Sequence, residues 1–148
     1  MGNFTDYETA KKLKELGFKD VCYGFFAHHK DGYYILDLIK SKNEGGVVSS
    51  PMWQQVKEWL WNNNKIMITC EICLGGIQFF VWKEQIGLGL HDDDVYFDSP
   101  IKAETQGIKM AVEHLYDIFL KEEREEYRKK NSISHESGVG IQTPRKSF

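Results

Sequence analysis

Cys70-Glu71-Ile72-Cys73 places two thiols at the C-x-x-C spacing used by zinc sites and dithiol redox centres. Structural zinc takes four ligands, and neither a second C-x-x-C nor an H-x-x-x-H pair follows. On a continuous strand side chains alternate, so thiols three residues apart point to opposite faces and share neither a metal nor a disulfide easily. With Cys22 the chain has three cysteines, an odd number that fits reduced thiols better than a disulfide framework. All three read as ordinary core residues. His91-Asp92-Asp93-Asp94 with Asp98 forms an acidic loop, but the D-x-D-x-D-G calcium pattern with its distal glutamate is absent. His91 with Asp93 suits acid–base or metal-assisted hydrolysis, yet no nucleophile motif, phosphate-cradling glycine loop or dinucleotide signature accompanies it. Gly87-Leu88-Gly89 is a turn, and His28-His29 lies at a hairpin tip. The residues therefore point to no catalytic group, no metal and no cofactor.

The elements that hold these residues are signalled more clearly. Thr5 and Glu8 have capping-box spacing, Gly17 suits a left-handed helix end, and Phe18 is placed to touch Leu13, which predicts a helix over residues 6–16. Val21 to Phe26 and Tyr33 to Ile39 are rich in aromatic and branched residues, with Lys30-Asp31-Gly32 turning between them as a hairpin. Ser50 as N-cap and Pro51 at the first helical position open a second helix containing Trp53, Trp59 and Trp61. On that helix Met52, Trp53, Val56, Trp59 and Leu60 form one apolar arc, whereas Trp61 projects from the polar side. Trp61 either packs under a neighbouring loop or is offered to a partner. After Asn62-Asn63-Asn64, where an asparagine is suited to ending the helix, Lys65 to Cys73 alternates with period two and Gly75-Gly76 turns it into Ile77 to Lys83.

A short fifth strand is expected at Asp94 to Phe97. Ser99-Pro100 opens a third amphipathic helix, marked by Ile108, Ala111, Val112, Leu115, Ile118 and Phe119, with Gly107 as its weak point. Past Leu120 the apolar stripe fades into a charged helical extension at 121–130, where Glu125/Lys129 and Glu126/Lys130 are favourable pairs. Residues 131–148 read as a disordered tail. The fold expected is α+β, a single domain over 1–120 in the order α-β-β-α-β-β-(β)-α, with a mostly antiparallel sheet and helices packed chiefly on one face. If Ile66, Ile68, Ile72, Phe79 and Val81 face the helices, then Phe80 and Trp82, and Tyr33 and Ile35 on the first hairpin, point away. That aromatic face is either covered by the third helix or open for binding.

The chain has 148 residues, 41% of them hydrophobic and 14% aromatic, enough for one sizeable core. Its net charge is −3, divided as −5 over residues 1–120 and +2 over 121–148. The mildly acidic globular part argues against a nucleic-acid surface, which needs Lys and Arg to neutralise phosphate. No apolar run is long enough for a membrane span, and the N-terminal residues lack a secretory core, which predicts a cytoplasmic protein.

Glu8-Thr9-Ala10-Lys11-Lys12-Leu13-Lys14-Glu15-Leu16-Gly17-Phe18, the following Cys22-Tyr23, and Ser50-Pro51-Met52-Trp53-Gln54-Gln55 with Trp59-Leu60 resemble a group of small proteins of tailed bacteriophages and prophages of gut bacteria. The resemblance covers residues 5–120 and departs at the charged extension. It implies a phage-encoded protein in the host cytoplasm and carries no catalytic residues. The reading is an accessory protein that binds a host or phage protein, with Trp61, Phe80, Trp82 and Tyr33 as candidate contacts. Two alternatives stand beside it: a small-molecule binder or hydrolase near His91 and the acidic loop, and a single-strand nucleic-acid binder that stacks bases on the aromatic sheet face.

Overall fold

The computed structural model describes residues 3–136 as an α+β protein with three helices and antiparallel strands. The elements are α1 (Tyr7–Glu15), β1 (Cys22–His29), β2 (Gly32–Ser41), α2 (Trp53–Asn64), β3 (Ile66–Cys73), β4 (Gly76–Lys83), β5 (Ile86–Gly87) and α3 (Pro100–Glu136). The chain divides into two compact units, Met1–Tyr116 and Asp117–Phe148. In place of one sheet there are two: the hairpin β1-β2, and a second sheet in the order β3-β4-β5.

α1 ends as its sequence dictates. Gly17 takes φ +89°, the Phe18 amide donates to Leu13 O and the Gly17 amide to Lys14 O, the paired bonds of a Schellman motif. Its start lies one residue later than the capping-box spacing suggests, because Asp6 is the N-cap and accepts from the Thr9 amide at 2.9 Å. α2 also starts later, at Trp53. Ser50 and Pro51 belong to an extended segment: the Ser50 amide donates to Gly24 O, and Pro51 O accepts from the Thr5 amide. Tertiary backbone pairing has overridden the local Ser-Pro signal. At the other end Lys65, and none of the three asparagines, takes the left-handed conformation, with φ 54°.

The core of the first unit lies between the helices and the inner face of β3-β4. Ile66, Ile68, Phe79 and Val81 are buried there against Leu13, Phe18, Val56, Trp59, Leu60, Ala103, Ile108, Ala111 and Val112. Gly107 explains its own presence in α3. A Cβ at that position would lie 2.7 Å from Ile68 Cγ2 and 3.0 Å from Phe79 Cδ2, so only hydrogen lets the helix backbone come this close to the sheet. Ile72 departs from expectation. It shares the inner face with Ile68 but is 90% exposed, since α3 begins at Pro100, whose carbonyl meets Cys70 Sγ at 3.8 Å, two residues short of Ile72.

The expected strand at 94–97 is reduced to one bridge, Phe97 to Ile77; the fifth strand proper is β5 at Ile86–Gly87. α3 runs through Glu136, taking in the first six residues of the expected tail, and residues 137–148 lie outside the described residues. No helix among the described residues is long and apolar enough to cross a membrane.

Candidate functional site

The C-x-x-C thiols separate as strand alternation requires. Cys70 is opposite Phe79 on the inner side, and Cys73 is opposite Gly76 on the outer side with its Sγ 3.5 Å from Gln78 Oε1. Burial pushes the Cys22 thiol up to about 11, the opposite of nucleophile activation. Burial, with Glu104 nearby, also raises Cys70 above the usual thiol range, against an opposing pull from Lys57. Among the described residues no three histidine, cysteine, aspartate or glutamate side chains are grouped to hold a metal ion.

On the outer face of β3-β4, Gln78 and Phe80 of β4 are covered by the chain after β5 and not by α3, while Met67 and Glu71 of β3 remain exposed. The Leu88 amide donates to Val81 O and continues the β5 pairing along β4, and the chain returns to the strand where Ile77 and Phe97 exchange backbone hydrogen bonds. Between them, residues 89–96 lie over the strand. Gln78 Nε2 donates to Asp93 O at 3.0 Å, and the His91 ring sits 4.6 Å from the Phe80 ring, with His91 Nε2 3.0 Å from Asp93 Oδ1. Asp92 Oδ1 accepts from the Asp94 amide and Asp92 O from the Val95 amide, which makes a closed turn. The acidic residues thus organise a loop, and Gln78, absent from every sequence expectation, fastens it.

The four candidate contacts have different surroundings. Phe80 is half-buried beneath His91. Trp82 is half-buried too, donating from Nε1 to Thr69 Oγ1 at 2.9 Å beside the backbone of Gly87. Tyr33 does not point away from the helices: it stacks on Tyr7 of α1, with ring centroids 3.6 Å apart and planes 7° from parallel. Tyr33 is about half exposed, with one face of its ring taken by Tyr7, as the Phe80 ring is met by His91.

Trp61 is the exception. Its side chain is 49% exposed on the flank of α2, with Lys65 Nζ 5.3 Å from the ring centroid. The groove beside it has a volume of about 270 Å³; Gln54, Lys57, Glu58 and Asn62 line it on the helix side, and Ile66, Met67 and Ile68 on the β3 side. β3 is an edge strand among the described residues, so this groove runs along a side of the sheet that no other described strand occupies. Lys57 is held at the rim by Glu104 at 2.8 Å, so its aliphatic stem forms part of the wall. Met67 was not singled out from sequence; its position one residue out of phase with the buried Ile66 and Ile68 was the available signal.

Comparison with known proteins gives no match. No family model, no curated protein and no solved structure aligns significantly with the chain.

Proposed function

We propose that the protein acts by binding a protein partner through the Trp61 groove, as a small phage-type accessory protein of the host cytoplasm. The single observation behind this reading is a half-exposed tryptophan over an apolar groove, next to an unpartnered strand edge. Tryptophan is among the commonest anchors of protein interfaces because it supplies a large apolar area with few rotatable bonds. Covering the exposed half of the ring, on the order of 100 Å² at about 25 cal/mol per Å², is worth about 2–3 kcal/mol. The phage assignment rests on the residue pattern at 8–23 and 50–60. The test is affinity capture from infected or lysogenic cells with the native protein and with Trp61→Ala. A partner retained by the native chain and lost, or weakened at least thirtyfold, with W61A supports the reading; equal retention by both refutes it.

The hydrolase reading has one favourable observation, the His91–Asp93 pair at 3.0 Å. The pair lies against Phe80, and neither residue lines the Trp61 groove. Its role in closing the loop accounts for the geometry.

A further inference from the structure

The far end of β3 from Trp61 carries a second surface. Leu74, at the turn of the β3–β4 hairpin, is fully exposed, as is nearly all of Ile72. Tyr96 lies against the same turn: a Cβ on Gly75 would be 2.9 Å from its ring. Three apolar side chains, Ile72, Leu74 and Tyr96, are therefore presented around one hairpin tip, with Val95 exposed next to Tyr96. None of them is needed for the core, which ends at Ile68 and Phe79.

The exposed charges at the hairpin tip and on the loop beside it at 92–94 are acidic. Glu71, Asp92, Asp93 and Asp94 are all exposed, and the turn that holds the three aspartates is fixed by Gln78 and by the Asp92 side chain. Nearby, Asp98 is paired with Lys102 at 2.9 Å, and Asp93 with His91 Nε2 at 3.0 Å. We propose that the β3–β4 hairpin tip is a docking site for a basic polypeptide segment that also carries apolar side chains, with Ile72, Leu74 and Tyr96 taking the apolar groups and Glu71, Asp92, Asp93 and Asp94 the cationic ones. A second copy of this chain is the poorer occupant, because a two-fold tip-to-tip contact would bring the two acidic sets together. The site is separate from the Trp61 groove and does not depend on it.

The experiment is fluorescence anisotropy of the full chain with three labelled twelve-residue peptides: one alternating Lys/Arg with Leu/Phe, one with every cation replaced by Glu, and one with every Leu/Phe replaced by Ser. Saturable binding of the first peptide alone is expected, weakening several-fold between 50 and 500 mM salt as screening takes hold. Ile72→Ser with Leu74→Ser weakens it at least tenfold. Asp92→Asn, Asp93→Asn and Asp94→Asn, which leave the apolar residues in place, lower both the affinity and its salt dependence, and Trp61→Ala leaves the binding unchanged. Binding of the acidic peptide as tight as the basic one, indifference to the Ile72/Leu74 pair, or no binding of the first peptide overturns the proposal. So does self-association in sedimentation that the same pair abolishes, since that assigns the tip to a second copy.

Discussion

Gly107→Ala sets two effects of opposite sign against each other. In an exposed helix interior the change stabilises by about 1 kcal/mol, because alanine restricts the unfolded backbone more than glycine does. Here the added methyl falls 2.7 Å from Ile68 Cγ2 and 3.0 Å from Phe79 Cδ2, against an ordinary carbon–carbon contact of about 3.5–4.0 Å. Relief requires α3 or the sheet to retreat by most of an ångström. Ile68 and Phe79 are 4% and 5% exposed, so neither has solvent to move into. Overpacking costs about 1–3 kcal/mol, and contacts this close to two buried side chains belong to the upper half of that range, about 2–3 kcal/mol; with the propensity gain of about 1 kcal/mol subtracted, the net destabilisation is about 1–2 kcal/mol. For a cooperative unit of this size that lowers Tm by roughly 4–10 °C. Thermal unfolding by circular dichroism measures it, and chemical denaturation of the Gly107→Ala/Ile68→Ala pair should show a coupling that recovers much of the G107A loss. An unchanged or higher Tm for Gly107→Ala would mean that α3 does not approach the sheet this closely, and the packing argument would be wrong.

Trp82→Phe removes the Nε1–H···Oγ1 bond to Thr69 while keeping an aromatic ring, and is expected to cost about 1 kcal/mol in urea denaturation. Lys65→Gly relieves a non-glycine left-handed residue at the end of α2, with an expected gain of about 1 kcal/mol by the same measurement. Asp6 gives a pH signature. Burial by itself would raise its carboxyl, but the hydrogen bonds from Thr9 and the Lys109 charge outweigh burial and hold it below the ordinary value. A group with a depressed folded pKa contributes stability above its unfolded value near 4, and that contribution is lost as the pH falls through the lower folded value. Asp6→Asn should therefore narrow its deficit relative to the native chain below about pH 4, in melts recorded from pH 7 to pH 2. Thiol labelling under native conditions should modify Cys73 first and spare Cys22 until unfolding, since Cys22 is buried with its thiol held neutral.

Local signals survive folding here where no distant backbone pairing claims the same residues. Gly17-Phe18 ends α1 because the left-handed glycine and the Leu13 contact are both local. Period two across 66–73 and 77–83 yields the hairpin in register, Ile66 opposite Lys83 through Cys73 opposite Gly76. Ser50-Pro51 carries an equally good local signal and loses, because its backbone is claimed by Gly24 and Thr5 from far away in sequence. The alternation that makes Ile72 inward-facing is correct, but where α3 begins relative to the strand decides whether an inward residue is covered. The outer face of β4 was legible as aromatic and not as covered: its cover depends on Gln78 reaching carbonyls of a loop 14 and 15 residues onward, which no periodicity encodes. At the candidate site Trp61 stands out from helical phase alone, whereas the groove beside it needs the edge position of β3.

The central claim, that this protein works by presenting Trp61 and its groove to a protein partner, is tested most directly by site-specific photo-crosslinking in the host cell. Glu58 lines the groove and is exposed, so it accepts a photoreactive residue without touching the core. The account predicts one discrete crosslinked species that disappears when Trp61→Ala is added. No crosslinked species, or the same yield with and without Trp61, would contradict it.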